Sequence, residues 1–187
     1  MFGGDYRIQM SVDITLKPIE NSYWVIPQRF MAGEYPGSIQ DVEARARLRW
    51  LLEQQANFFL DLTETGESDL KIYTHILQEE ADLIQRAVIQ KRLSIWDLST
   101  PSEEVMVEIL DTIDTALSEG QNIYMHCFGG NGRTGTVVGC YLARHGMPGD
   151  KALELILKLR SKIKNNPGHS PETEGQRRMV IEWTKGR

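Results

Sequence analysis

One stretch joins residues with the means for nucleophilic chemistry on an anion: Ile123-Tyr124-Met125-His126-Cys127-Phe128-Gly129-Gly130-Asn131-Gly132-Arg133-Thr134-Gly135-Thr136. It reads as a short apolar strand, a glycine-rich loop, and a helix beginning near Arg133. Cys127 opens the loop and Arg133 closes it, with five residues between them. Gly129, Gly130 and Gly132 let the backbone curl, so that successive N–H groups from Phe128 through Asn131 to Arg133 converge on one concavity. The helix adds its own unpaired N–H groups and the positive end of its dipole. Arg133 contributes a planar fork that can hold two oxygens of a phosphate at once. The same positive surroundings favour Cys127 as a thiolate. Such a loop suits the task of holding a tetrahedral oxyanion over a sulfur nucleophile.

The rest of the chain narrows the setting. At 187 residues it fits one domain with a sizeable core. A net charge of −5 weighs against nucleic acid or an anionic membrane as partner. No basic-plus-apolar N-terminal segment precedes a cleavage site, so no signal peptide is predicted. The apolar tract 137–143 is too short to span a bilayer. Two cysteines, Cys127 and Cys140, make no disulfide framework, and a working thiolate suits a reducing, cytoplasmic compartment. His75, His145 and His169 show no ligand spacing, so no metal site is expected.

The elements that must position the loop follow from pattern. Residues 1–21 read as an N-terminal arm, with Met10 a second possible start, and 22–187 as a single domain. Strands are predicted over 22–26 and 29–32, then a helix over 38–54 capped by Ser38 with Ile39, Val42, Ala46 and Leu51 inward. A strand over 57–62 ends at Asp61, a residue type that also caps turns. Residues 73–86 are helical in part and 87–95 include a strand. Thr100 as cap, Pro101 and Glu103 then start a helix whose apolar face is Met106, Ile109, Leu110, Ile113 and Leu117, ending at Gly120. Asp97 lies in the loop before that helix, thirty positions ahead of Cys127. Beyond the helix at 133–144, Asp150 is expected to cap another with Ala152, Leu155, Ile156 and Leu159 buried. After a loop over 165–169, Ser170-Pro171-Glu172 starts the last helix, with Gln176 one turn in.

His126-Cys127-x5-Arg133-Thr134 resembles the signature loop of the cysteine-dependent protein tyrosine phosphatase superfamily. The Trp-Pro-Asp of its tyrosine-specific members is absent, and Asp97-x-x-x-Pro101 is similar to the looser form of the dual-specificity branch. The resemblance spans roughly residues 22–187. It implies an α/β fold of two or three layers, a central mostly parallel sheet flanked by helices, with the cysteine loop between a central strand and a helix. It further implies Cys127 as nucleophile, Arg133 as phosphate clamp and Asp97 as general acid and base. Thr134 would donate its hydroxyl to the thiolate. His126 would orient the loop, although a core histidine would read the same, and Asp61 would give polar support or hold a turn. Ser-Pro-Glu-Thr-x-x-Gln resembles the segment that places a water-orienting glutamine, here Gln176; a solvent-facing glutamine fits the pattern equally. Cys140 reads as packing, with a second role in resolving an oxidised Cys127 open.

The implied activity is phosphomonoester hydrolysis through a phosphocysteine, without metal or other cofactor, by a monomer acting on a phosphorylated protein or peptide. Two alternatives remain at this point. One is a catalytically silent phospho-binding module, although such modules typically lose the Cys, the Arg or the acid. The other is a phosphatase of a non-protein substrate such as a phosphoinositide or inositol phosphate; lysines usual inside such loops are replaced here by Phe128 and Asn131.

Overall fold

The computed structural model describes residues 18–67, 70–163, 169–184 and 186. A five-stranded sheet forms its middle, from β1 (Ser22–Ile26), β2 (Phe30–Gly33), β3 (Phe58–Asp61), β4 (Ile89–Arg92) and β5 (Ile123–His126), in the order β1-β2-β5-β3-β4. β1 pairs antiparallel with β2, and the other pairings are parallel. β5, the strand that delivers Cys127, is therefore the middle one.

Alternate residues of the inner strands feed two separate cores. Phe30, Ala32, Phe58, Leu60, Ile123, Met125 and Cys127 face one; Met31, Phe59 and Tyr124 face the other. On the second face lie α1 (Asp41–Glu53) and α2 (Thr74–Leu83). On the first lie α3 (Glu103–Ser118), α4 (Gly132–Arg144), α5 (Gly149–Arg160) and α6 (Glu174–Glu182). Strands covered on both faces read as near-continuous apolar runs, which is why period-2 alternation is weak here. The architecture is thus three-layered, one of the two arrangements left open, with the mostly parallel central sheet that the resemblance implies.

Several local expectations shift. Ile39 and Val42 are 86% and 81% exposed; the inward stripe of α1 is Ala44, Leu48, Leu51 and Leu52. That i, i+4, i+7, i+8 spacing fits a helix starting at Asp41, and Ser38 lies outside it, accepting from Gln40 N and donating to Glu43. Ser102, not Thr100, caps α3 by accepting from Val105 N, because Pro101 stands before the cap rather than inside the helix. α5 begins at Gly149 behind Pro148, so Asp150 falls within its first turn, where its charge meets the helix dipole. Thr173 caps α6, since the Ser170 hydroxyl is engaged elsewhere.

Residues 1–17 of the expected arm, and most of the 165–169 loop, lie outside the described residues. Within residues 18–21, however, Ile19 is fully buried and Asn21 touches the cysteine loop. α4 and α6 meet closely at Gly139, where an added Cβ would come within 2.5 Å of the Val180 side chain. Gly139→Ala should therefore lower stability by about 1–3 kcal/mol in urea unfolding. Combining it with Val180→Ala should recover part of the loss; additive losses would mean that the two sites do not touch.

Candidate active site

The loop after β5 is shaped by what holds its carbonyls. Tyr35 N–H donates to the Phe128 carbonyl at 2.8 Å, Asn21 Nδ2 to Gly129, Arg160 Nη1 to Gly130 at 2.7 Å, and Ser170 Oγ to Asn131 at 2.8 Å. In a trans peptide the carbonyl of one residue and the N–H of the next point opposite ways. Four outward carbonyls therefore turn the N–H groups of Gly129, Gly130, Asn131 and Gly132 toward the cleft. Gly130 has φ +68°, and a Cβ on it would meet the Gly33 backbone at 2.5 Å, so this position needs glycine on both counts. The N-terminus of α4 adds its dipole to the same concavity.

Cys127 stands at the start of this loop, 3% exposed. Behind it, His126 is fully buried, with Nε2 at 2.7 Å from the Tyr73 hydroxyl and Nδ1 at 3.3 Å from the Cys127 carbonyl. A carbonyl can only accept, so Nδ1 carries the proton and Nε2 accepts from Tyr73. Burial holds the His126 pKa below its ordinary value against the pull of Asp61. Asp61 itself accepts from Thr63 N and Oγ1 at 2.8 and 2.6 Å, and from Arg92 at 2.8 and 3.0 Å. It therefore does hold a turn and ties β3 to β4, while sitting 3.8 Å from His126 Nδ1 beneath the loop. Burial works against its charge, but the Thr63 and Arg92 bonds outweigh it and keep the carboxyl pKa low.

Arg133, at 2% exposure, is gripped from two sides. Glu67 takes Nη1 and Nη2 at 2.6 Å each, and Nη1 also donates to the Ile95 carbonyl at 3.1 Å. Burial opposes the guanidinium charge, and the Glu67 bonds overcome it, raising the Arg133 pKa and lowering that of Glu67. Asp97 Oδ1 reaches Arg133 Nη2 at 3.1 Å from a side chain that is 60% exposed. The acid loop is pinned in turn by Gln176, whose Nε2 donates to the Ser99 carbonyl at 3.1 Å. Gln176 is fully buried rather than solvent-facing, and its Oε1 accepts from Glu172 N and Thr173 N at 3.0 Å each. Those bonds leave one amide N–H to spare, beside Gly132.

A cleft of about 450 Å³ brings together Cys127, Arg133, Asp97 and the loop residues Phe128, Gly129, Asn131 and Gly132. Gly130, His126, Asp61 and Gln176 do not line it: the first three support the loop, and Gln176 is buried against Gly132. Thr134 is fully buried and reaches the Gly33 carbonyl at 3.5 Å, the long end of a hydrogen bond. Cys140 is fully buried on α4, where burial pushes its thiol pKa far up, as suits packing. Sequence reasoning missed Glu67, Arg160, Asn21 and Tyr35. For Arg160 a signal existed: it continues the Ala152, Ile156 stripe at i+4, where an apolar residue would be expected.

A mostly parallel sheet with a Cys-x5-Arg anion cradle at the carboxyl end of its middle strand defines a domain of the cysteine-based phosphatase type. Residues 35–147 match the family described as "Polymorphic toxin system, DSP-PTPase phosphatase", and the chain belongs to that family. It is 29% identical over 129 residues to mouse dual specificity protein phosphatase CDC14B, covering 65% of this chain and 24% of the mouse protein. It is 32% identical over 116 residues to the Arabidopsis thaliana phosphatidylinositol 3,4,5-trisphosphate 3-phosphatase and protein-tyrosine-phosphatase PTEN1, covering 61% of this chain and 27% of that protein. The chain thus spans about a quarter of the length of these relatives. Among solved structures, Tk-PTP in its active form superposes with a TM-score of 0.68 at 23% identity, covering 87% of this chain and 95% of the other. PTPMT1 in complex with PI(5)P gives 0.63 at 21%, covering 87% and 93%. Both agree with this chain in fold.

The buried neutral His126 carries a consequence for stability. Its folded pKa is depressed, so below the unfolded value of about 6.5 the unfolded chain gains a proton that the folded chain refuses. Stability present above that pH is lost as the pH falls toward the folded pKa. Asp61 and Glu67, also depressed, lose their contributions only below about pH 4. Urea midpoints should therefore drop between pH 7 and 5.5 by more in the wild type than in His126→Asn, with a slope of at most about 1.4 kcal/mol per pH unit. Equal slopes would remove His126 from the titration.

Proposed function

We propose that the chain is a phosphomonoester hydrolase acting through a phosphocysteine on phosphorylated proteins or peptides, at tyrosine and with dual specificity. The observation that carries this reading is that Cys127, Arg133, Asp97 and the loop backbone line one cleft, with Asp97 bonded to Arg133. In this reading the thiolate attacks phosphorus in line, and the P–O ester bond breaks toward the leaving oxygen, which takes the Asp97 proton. The amides and Arg133 hold the equatorial oxygens as charge spreads over them, the part a metal plays elsewhere. A water then attacks phosphorus, its proton passes to Asp97, and the S–P bond breaks to return the thiolate. Thr134 would ease that departure, and the spare N–H of Gln176 would be available to orient the water.

Asp97 takes an N–H of Arg133 that an equatorial oxygen would also take. Binding of the phosphate would displace the carboxylate and free it to turn toward the leaving group. The cleft is lined by two exposed apolar side chains, Leu98 at 55% and Phe128 at 51%. Among the described residues no lysine lines the cleft. A phenyl phosphate on a peptide suits such a rim better than a polyphosphorylated headgroup. The second reading, a phosphoinositide or inositol phosphate substrate, is favoured by the likeness to PTEN1 and to PTPMT1 bound to PI(5)P.

The test is hydrolysis of p-nitrophenyl phosphate in excess chelator, with a phosphotyrosine peptide and PI(3,4,5)P3 run in parallel. Cys127→Ser should abolish turnover. Asp97→Asn should cut kcat on the peptide by on the order of 100-fold, and less on p-nitrophenyl phosphate, whose leaving group needs little help. Faster turnover of the lipid than the peptide would favour the second reading. A wild type that binds phosphate analogues and hydrolyses nothing would make the chain a phospho-reader.

A further inference from the structure

Arg160 is a charged side chain that none of the steps above uses, and with Arg133 it heads the largest fully buried side chains. It projects from α5 behind the cysteine loop, donates from Nη1 to the Gly130 carbonyl at 2.7 Å, and lies 5.5 Å from the centre of the Tyr23 ring. Burial raises the Tyr23 pKa to about 12, so its phenol stays neutral and leaves the guanidinium charge intact.

We propose that Arg160 is a positioning residue for phosphate capture, locking the Gly130–Asn131 peptide with the Asn131 N–H toward the cleft and setting a fixed positive charge behind the cradle. The proposal rests on the phosphatase reading only in taking phosphate as the cradle's ligand. That peptide is the one in the loop that most needs locking. Gly129 and Gly130 carry no side chains, and Gly130 sits in the left-handed region at φ +68°, where a glycine exchanges conformations at little cost. A flip would replace an N–H aimed at the anion with a carbonyl oxygen, turning attraction into repulsion. The other three carbonyls of the loop are held by neutral donors, Tyr35 N, Asn21 Nδ2 and Ser170 Oγ. Arg160 is the ionised one of the four, and a charge-assisted bond is roughly twice as strong as a neutral one. Placing a guanidinium out of water costs several kcal/mol, a cost a packing residue at this i+4 position would not incur.

The experiment reads tungstate affinity, which needs no turnover, beside p-nitrophenyl phosphate kinetics and melting temperature. Arg160→Gln should weaken tungstate binding roughly 10- to 100-fold, with a matching fall in kcat/KM. Arg160→Lys should recover part of both. Leu48→Ala, in the core on the opposite face of the sheet, should lower the melting temperature while leaving tungstate affinity at the wild-type value. Wild-type affinity in a folded Arg160→Gln protein would overturn the proposal, as would an equal loss in Leu48→Ala. A measurement on the unmodified protein stands apart from the fate of any variant: the Asn131 amide proton should move strongly downfield when tungstate binds, and an unmoved resonance would sink the assignment. A wild type that binds tungstate in this way and hydrolyses no phosphomonoester would end the phosphatase reading while leaving the role of Arg160 standing.

Discussion

Backbone dipoles can serve an anion only if something holds their other ends. In this protein four successive carbonyls of the loop after β5 are held outward by Tyr35, Asn21, Arg160 and Ser170, and the facing N–H groups follow from the planarity of the peptide. Much of the remaining structure supplies those donors. β2 runs into Tyr35, α5 ends on Arg160, and the segment before α6 presents Ser170. Helix capping is affected as well: the Ser170 hydroxyl is engaged at Asn131, and the cap of α6 passes to Thr173.

The second organising fact is a buried arginine shared between two carboxylates. Glu67 holds Arg133 in both directions of its fork, fixing its plane, while Asp97 bonds from an exposed position. A bidentate grip from a carboxylate at 9% exposure resists displacement far better than a single bond from one at 60%. The arrangement therefore separates a permanent orienting partner from an exchangeable one. Gln176 extends this to the acid loop by anchoring the Ser99 carbonyl, two residues past Asp97.

How much of this could be read from the sequence depended on distance along the chain. Cys127 and Arg133 were legible because their spacing is local and the loop between them is rich in glycine. The sheet and its helices were legible because strong apolar periodicity survives in α3, where Met106, Ile109, Leu110 and Ile113 are all buried. Ile39 and Val42 misled because apolar residues at the mouth of a helix can face water, and only tertiary packing decides which stripe turns inward. Thr100, Asp150 and Ser170 misled because several residues near each helix start could cap it. Glu67 carried no motif, since a glutamate in a turn is ordinary until its partner is known; Arg160 broke the apolar stripe of its helix, but its partner lies thirty positions away and no local pattern names it.

The placement of the four donors along the chain bears on biogenesis. Asn21 and Tyr35 precede Cys127, whereas Arg160 and Ser170 follow it by more than thirty residues. A nascent chain that has just exposed its cysteine still lacks half of the braces on its loop. The Arg160 and Ser170 bonds reach back 30 and 39 positions, so neither can form until α5 and the segment before α6 have been synthesised. The thiol therefore has its complete anion site only once both of those segments are in place. Truncation short of Arg160 or Ser170 would yield a chain with its nucleophile present and its cradle unmade.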